Sequence, residues 1–256
     1  MTAADRRDAI LRMVRDRGHL NAAEAAVEFG VNSSTIRRDL ARLEQLGLLQ
    51  RSHGGAVARR DEADVPYDVK IHKLIPQKQA IGAAAAELIP DGATVMLDSG
   101  STTLMVAKAL TDRSDLTVIT PDVLVAAELI RSPAIRLILP GGESVRDTTT
   151  VVSQEAVEMV RRYHVDIAMM ASDAVDSAGA SNMNGVVVPL KRAMMGGAAR
   201  SVLLADSSKL GQRRLVSVAA LEEFEELITD DGAGEDATAD YPVAVRRVPV
   251  SEKVGD

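Results

Sequence analysis

FGVNSSTIRRDLARLEQLGLLQRSHGGAV, residues 29–57, holds two patterns of different period. Ile36, Leu40, Leu43 and Leu46 share one helical stripe, with Arg37, Arg38 and Arg42 off it, so a helix starting near Ser33 has one face to bury and one basic face. Asn32 and Ser33 are both residues that cap helix starts. Upstream, Asn21 is placed to cap a short helix over AAEAAVEF that Gly30 closes. Asp5 to Arg17, with Ile10, Leu11, Met13 and Val14 at helical spacing, reads as a first helix stopped at Gly18. Two short helices joined by a turn of roughly three to four residues make a helix-turn-helix, here over residues 20–39.

The second helix of such a motif enters the major groove of DNA by its first turn. Ser33, Ser34 and Thr35 are therefore expected at base edges or phosphates, with Arg37, Arg38 and Arg42 reaching guanine edges or phosphate oxygens. LLQR and AVAR, separated by Ser-His-Gly-Gly, read as a hairpin whose glycines supply positive φ. This would be a wing, placing Arg51 and His53 near the DNA backbone, although His53 suits a plain turn equally well.

Charge is divided along the chain. The overall balance is -7, but residues 1–60 carry eleven Arg, no Lys and seven acids, a net of +4, and the remainder carries -11. A small basic segment ahead of a larger acidic body fits a DNA-reading module joined to something else. Cysteine is absent and histidines number four, which leaves disulfides, thiolate metal sites and cysteine nucleophiles out of the reading. No apolar run reaches the about 18 residues that span a bilayer, and the charged start is unlike a signal peptide, so a cytoplasmic location without membrane association is expected. With no Trp, two Phe and three Tyr, an aromatic platform for single strands is not expected.

Residues 59–77, with Pro66 and Pro76 among charges, read as a linker. Beyond Lys78, small-residue helices alternate with β-branched runs (ATVML, LTVIT, IRLIL, DIAMMA, SVLLAD, ELITD), which implies a doubly wound α/β domain with a largely parallel sheet over 78–230. Residues 231–256 are left as a loop followed by a tail or an edge strand. The paired methionines Met169, Met170 and Met194, Met195 read as core filling.

Ligands of such sheets bind beyond the carboxyl ends of the strands. Four groups lie there. Asp98, Ser99, Gly100, Ser101, Thr102 and Thr103 follow ATVML and open a helix, where glycine, hydroxyls and free N–H groups suit a phosphate, though a hydroxyl cluster there can be only a cap. Gly141 and Gly142 follow IRLIL, Lys191 and Arg192 lie on a helix after Pro189, and Asp206 to Lys209 follow SVLLAD.

The run TIRRDL, the LE spacing to Gly47 and the RSHGGA wing, in this order, resemble the DeoR family of transcription regulators over residues 3–58. The four loop groups extend that likeness to about residue 230. The resemblance implies a winged helix-turn-helix ahead of an effector domain similar to sugar-phosphate isomerases, with Asp98, Gly100, Ser101, Thr102 and Thr103 as a phosphate cradle and Gly141, Gly142, Lys191 and Lys209 around it. It implies double-stranded operator DNA and a phosphorylated sugar or related effector as partners, a homodimer or higher homo-oligomer, and no cofactor. Asn32 stands where the family usually carries serine, an equally good cap, and two departures fall in the effector domain: Thr120-Pro121-Asp122 where the family commonly has Thr-Asn, and Val188-Pro189-Leu190 where an acid often precedes the Lys-Arg pair. Both are expected at the part of the pocket that reads the non-phosphate end of the ligand.

A repressor relieved by its effector is the leading expectation, with an activator of the same architecture as the alternative. An isomerase-like enzyme is the competing reading. It needs an acid-base residue, and Asp98, Asp122, Asp173 and Asp206 offer no motif that selects one; a helix-turn-helix has no use in a simple isomerase.

Overall fold

The computed structural model describes residues 3–17, 19–45, 49–52, 54–57 and 67–250. Gly18, Leu46, Gly47, His53 and the linker stretch 58–66 lie outside these, as does 251–256. The chain forms two compact units, 1–73 and 74–256.

In the first unit, helices α1 (Ala3–Arg17), α2 (Ala22–Glu28) and α3 (Ser33–Gln45) pack with strands β1 (His19–Asn21), β2 (Gln50–Ser52) and β3 (Gly55–Val57), followed by a short helix α4 (Tyr67–Lys70). The caps are those expected. The Asn21 side chain accepts from Ala23 N–H at 2.8 Å and that of Asn32 from Ser34 N–H at 3.2 Å, each satisfying one orphan donor of a helix start. Ile10 and Val14 of α1, Ala25 of α2 and Ile36, Leu40 and Leu43 of α3 meet with Leu20, Leu49 and Ala56 in one core.

The strand β1 is not legible in the sequence, because HLN has a single apolar residue. It forms because β3 comes alongside, and the sheet order is β1-β3-β2. That pairing corrects the reading of Gly55. Gly54 has φ +92 and makes the turn, but a Cβ on Gly55 would lie 1.9 Å from the Leu20 carbonyl oxygen, so Gly55 is there for close approach of β1.

Ile36 is fully buried at the centre of this core. Ile36→Ala is expected to destabilise the unit by about 2–5 kcal/mol. The check is hydrogen exchange in the full chain: protection of α2 and α3 falls while that of the second unit's sheet is unchanged.

The second unit starts at Leu74, a few residues before the expected boundary, because its first helix, α5 (Ile75–Glu87), opens on Pro76. Then follow β4 (Thr94–Leu97), α6 (Ser101–Leu110), β5 (Leu116–Ile119), α7 (Val123–Leu129), β6 (Ile135–Ile138), β7 (Glu143–Ser144), β8 (Val151–Val152), α8 (Gln154–Val160), β9 (Val165–Ala171), β10 (Ala174–Asp176), β11 (Gly179–Asn182), α9 (Val188–Gly197), β12 (Ala198–Leu204), β13 (Val216–Ala219), β14 (Glu226–Asp230) and β15 (Ala244–Val248). The main sheet has seven strands in the order β15-β14-β12-β9-β4-β5-β6, and every pair in it is parallel.

Helices cover the sheet, so its central strands are buried and read as continuous apolar runs. Met96, Met169, Met170 and Met194 are core residues, and Met195 packs beside them. The two strands after residue 74 that begin the sheet, β4 and β9, are neighbours, with the chain winding outward from β4 through β5 and β6 on one side and from β9 through β12, β14 and β15 on the other. Their carboxyl ends form the switch point where ligands of this architecture settle.

Two features set the walls around that point. A Cβ on Gly82 of α5 would lie 2.6 Å from Met105 Cβ, so the helices α5 and α6 touch at backbone distance and α6 is held close to the layer beneath it. A small antiparallel sheet, β10-β11-β13, stands beyond the end of β9; its segments AVD and GASN are too short and polar to announce strands. At the far edge, Ala244–Val248 adds to β14 as a parallel edge strand, tied by Arg246 to Glu87 at 2.8 Å.

Candidate functional site

On α3 the buried stripe turns the other face outward. Ser34, Arg37, Arg38 and Arg42 are exposed and Ser33 and Thr35 half-buried at the first turn. The one acid in the middle of the helix, Asp39, does not dilute this positive face: it is buried and pairs with Arg6 of α1 at 2.7 Å. The aspartate of TIRRDL is therefore structural, tying the recognition helix to α1 through a buried charge pair. In the wing, Arg51 gives its N–H to Glu44 Oε1 at 3.0 Å, and its guanidinium lies 3.7 Å from Glu44 Oε2. Both side chains are well exposed, so solvent weakens that pair. His53 lies outside the described residues.

In the second unit the loop after β4 meets the end of β9. Asp98 is buried. Its Oδ1 accepts from Ser99 N–H at 2.8 Å and its Oδ2 from Ala171 N–H at 3.0 Å and from the Lys191 ammonium. Lys191 is itself buried on α9 and gives a second hydrogen bond to the Ala171 carbonyl at 3.0 Å. An isolated charge in such a place would be costly, so each ion is present because the other is. Together they lock β4, β9 and α9 at the switch point. Asp98 thus turns both oxygens to the protein and lines the loop from behind, a correction to its expected place in the cradle: two occupied carboxylate oxygens supply no donor to a phosphate.

Gly100 has φ +147, a conformation that only glycine adopts without strain, whereas a Cβ there would meet nothing nearer than 3.6 Å; the need is for backbone shape and not for space. It caps α6 without any side-chain hydrogen bond, so the first turn, Ser101 to Thr103, keeps its N–H groups uncapped by side chains. Thr103 Oγ1 donates to the Gly100 carbonyl at 2.9 Å. Thr102 Oγ1 is buried and makes no hydrogen bond, and so is Ser172 Oγ, directly after β9. Sequence reading missed Ser172, since a single serine after an apolar run carries no signal. Lys209 reaches the same turn, donating to the Ser172 carbonyl at 2.7 Å.

The departure at Asp122 has a structural answer. It is fully buried and caps α7: Oδ1 accepts from Leu124 N–H at 2.8 Å and Val125 N–H at 3.1 Å, and Oδ2 from Gly100 N–H at 3.1 Å and Thr149 Oγ1 at 2.5 Å. Burial pushes its carboxyl above the usual range, and these four donors partly offset that. Its charge is therefore directed at the protein. The other departure likewise faces inward in part: Leu190 belongs to the core and Val188 packs against it, so neither reads a ligand.

Gly142 does not open room for a ligand, whereas a Cβ on Gly141 would meet nothing within 4 Å. Gly141 has φ +77, and a Cβ on Gly142 would come within 2.5 Å of the Val152 backbone, so the chain itself fills that space and the hairpin β7-β8 is held close. The structure brings together Asp98, Gly100, Thr102, Lys191 and the Lys209 turn, and leaves Gly142 as a support of the hairpin that carries Thr149. Asp173, another acid-base candidate, accepts at Oδ2 from Asn182 Nδ2 at 3.1 Å and Met183 N–H at 3.0 Å, and Asp206 accepts from Ser208. No group of three or more metal-ligating side chains gathers among the described residues, and none of their helices is long and apolar enough to cross a membrane.

A winged helix-turn-helix with an arginine face, joined to a parallel α/β unit with uncapped donors at its switch point, defines a DNA-binding transcription regulator with a separate sensor domain. The chain belongs to the DeoR family: residues 6–62 match the DeoR-like helix-turn-helix domain and residues 74–231 the DeoR C terminal sensor domain. It is 35% identical to the uncharacterized HTH-type transcriptional regulator YgbI of Escherichia coli (strain K12), over 93% of this chain and 94% of that one. It is 33% identical to the uncharacterized HTH-type transcriptional regulator YulB of Bacillus subtilis (strain 168), over 99% and 100%. The glycerol-3-phosphate regulon repressor of Escherichia coli (strain K12) is 28% identical over 97% and 96%. Among solved structures, ribose 5-phosphate isomerase A of Methanocaldococcus jannaschii overlays 52% of each chain at 21% identity with a TM-score of 0.38, too loose a fit to inform the site.

Proposed function

We propose that this regulator is a repressor that a phosphorylated sugar or related metabolite releases from its operator. The observation that carries the effector half is the first turn of α6: N–H groups without a side-chain cap, beside the buried and unpartnered hydroxyls of Thr102 and Ser172. Buried polar groups of this kind are satisfied by something, and a helix start favours an anion. In this reading Gly100, Ser101, Thr102 and Thr103 hold the phosphate, Ser99 and Asp98 shape the loop, and Lys191 and Lys209 set the turn after β9. On the DNA side, Ser33, Ser34, Thr35, Arg37, Arg38 and Arg42 meet the major groove and Arg51 the backbone. That one relative is a glycerol-3-phosphate regulon repressor supports repression and a regulon concerned with a phosphorylated metabolite. Operators are read by symmetric oligomers, so a homodimer or higher homo-oligomer is part of the proposal.

The test is fluorescence anisotropy of operator DNA titrated with a panel of phosphosugars. One member is expected to release the wild type without being turned over. Gly100→Val, which puts a β-branched residue at φ +147, is expected to bind DNA as before and to need about tenfold or more effector, since such strain costs about 1–3 kcal/mol. An unchanged effector response in that variant removes the loop from the site.

A further inference from the structure

Asp122 stands between the cradle and the β7-β8 hairpin. Its Oδ2 holds the Gly100 N–H at 3.1 Å on one side and the Thr149 hydroxyl at 2.5 Å on the other. The N–H of Gly100 is next in line to those of Ser101 and Thr102, so an anion on the first turn of α6 comes to rest within a few ångströms of this carboxylate. Two negative charges at that separation, away from water, cannot both persist cheaply.

We propose that Asp122 sets the charge state in which the cradle accepts an anion: a phosphate-like dianion at the start of α6 binds together with one proton, which goes from solvent to Asp122 and frees the Gly100 N–H for the anion. The inference rests on the cradle reading above. The hydrogen bonds allow the step. Once Oδ2 carries the proton, it can donate to Thr149 Oγ1, and the threonine hydroxyl turns from donor to acceptor, so the link to the hairpin survives. Oδ1 keeps Leu124 and Val125, so the cap of α7 survives as well. The raised proton affinity of this buried carboxyl brings the step nearer to neutral pH.

The elements packed around Asp122 carry few competing groups. Behind the α6 loop, Asp98 is paired with Lys191. In the turn between β7 and β8, Arg146 and Asp147 are exposed, and α7 itself carries Glu128 in its last turn. Of the histidines among the described residues, His19 and His72 belong to the first unit and His164 precedes β9.

Sulfate is the probe, because it stays a dianion across the range tested and its own titration adds nothing. Equilibrium dialysis of the full chain with radiolabelled sulfate is expected to show affinity rising at least tenfold between about pH 8.5 and pH 6, toward the limit of about tenfold per pH unit for one linked proton. Asp122→Asn is expected to flatten that dependence to less than about twofold and to bind at least about tenfold more tightly than wild type at the alkaline end. Asp122→Ser, which also caps a helix and cannot ionise, serves if the Asn variant fails to fold. Calorimetry of the wild type in two buffers of different ionisation heat gives a readout that needs no variant, with about one proton taken up per sulfate near neutral pH. A residue that merely caps α7 would move neither quantity. Sulfate binding that is absent, or indifferent to Thr102→Val, overturns the cradle. Binding that depends on Thr102 but takes up no proton, or keeps its pH slope in both Asp122 variants, overturns the role of Asp122 alone.

Discussion

Lys191→Met is expected to destabilise the second unit by about 3–5 kcal/mol, because it leaves Asp98 as an uncompensated charge in a buried site. Lys191 and Asp98 are 3% and 1% exposed, so water cannot replace the lost partner without opening the junction of β4, β9 and α9. The variant also removes the donor to the Ala171 carbonyl. Urea unfolding followed by far-ultraviolet circular dichroism measures the loss. The double variant Asp98→Asn, Lys191→Met decides its origin. If the cost is the orphaned charge, the double variant recovers most of it, since removing both members of a buried pair is often near neutral. If the cost is lost packing of the lysine stem, the double variant stays as unstable as the single one. A single-variant loss under about 1 kcal/mol would show that the pair contributes nothing to the fold.

Replacing Arg37 and Arg38 together with Ala is expected to abolish specific operator binding while leaving stability within about 0.5 kcal/mol of wild type. Both side chains are exposed on the face of α3 opposite Ile36, Leu40 and Leu43, so their removal disturbs no packing. A base-edge contact is worth about 1–3 kcal/mol of discrimination, which for two arginines amounts to roughly 30-fold to 10⁴-fold in affinity. Anisotropy at several salt concentrations separates the two kinds of contact. Loss of base contacts flattens the preference for operator over random DNA, whereas loss of phosphate contacts lowers affinity for both and reduces the slope against salt by about one per contact. Sequence-specific binding retained by the double variant would remove α3 from the groove. Asp39→Ala is a different kind of change despite its place in the same motif, because it leaves Arg6 buried and alone.

The same contrast between neighbours explains what was legible. Arg38 and Asp39 are adjacent, and the stripe set by Ile36, Leu40 and Leu43 says that one of them lies nearer the core. It does not say that Arg6, 33 residues earlier in the chain, closes a pair with the aspartate. Loop residues divide likewise. The start of α6 could be read because a glycine and three hydroxyl residues announce a helix N-terminus in any context. Ser172 could not, since it looks like an isolated polar residue, and Asp122 stood out only as a departure, because its partners Gly100 and Thr149 lie 22 and 27 residues away in segments that folding brings alongside.

By itself the sequence determined the helices of the first unit with the caps Asn21 and Asn32, the alternation of helices and strands that makes the parallel sheet, and the basic face of α3, because each rests on periodicity or on a contact within a few residues. Tertiary structure alone decided which charges are spent inside. Asp98 on Lys191, Asp39 on Arg6 and Asp122 on Gly100 and Thr149 are pairings between distant segments, and in each the cost of burying a charge is met by a partner that only folding supplies.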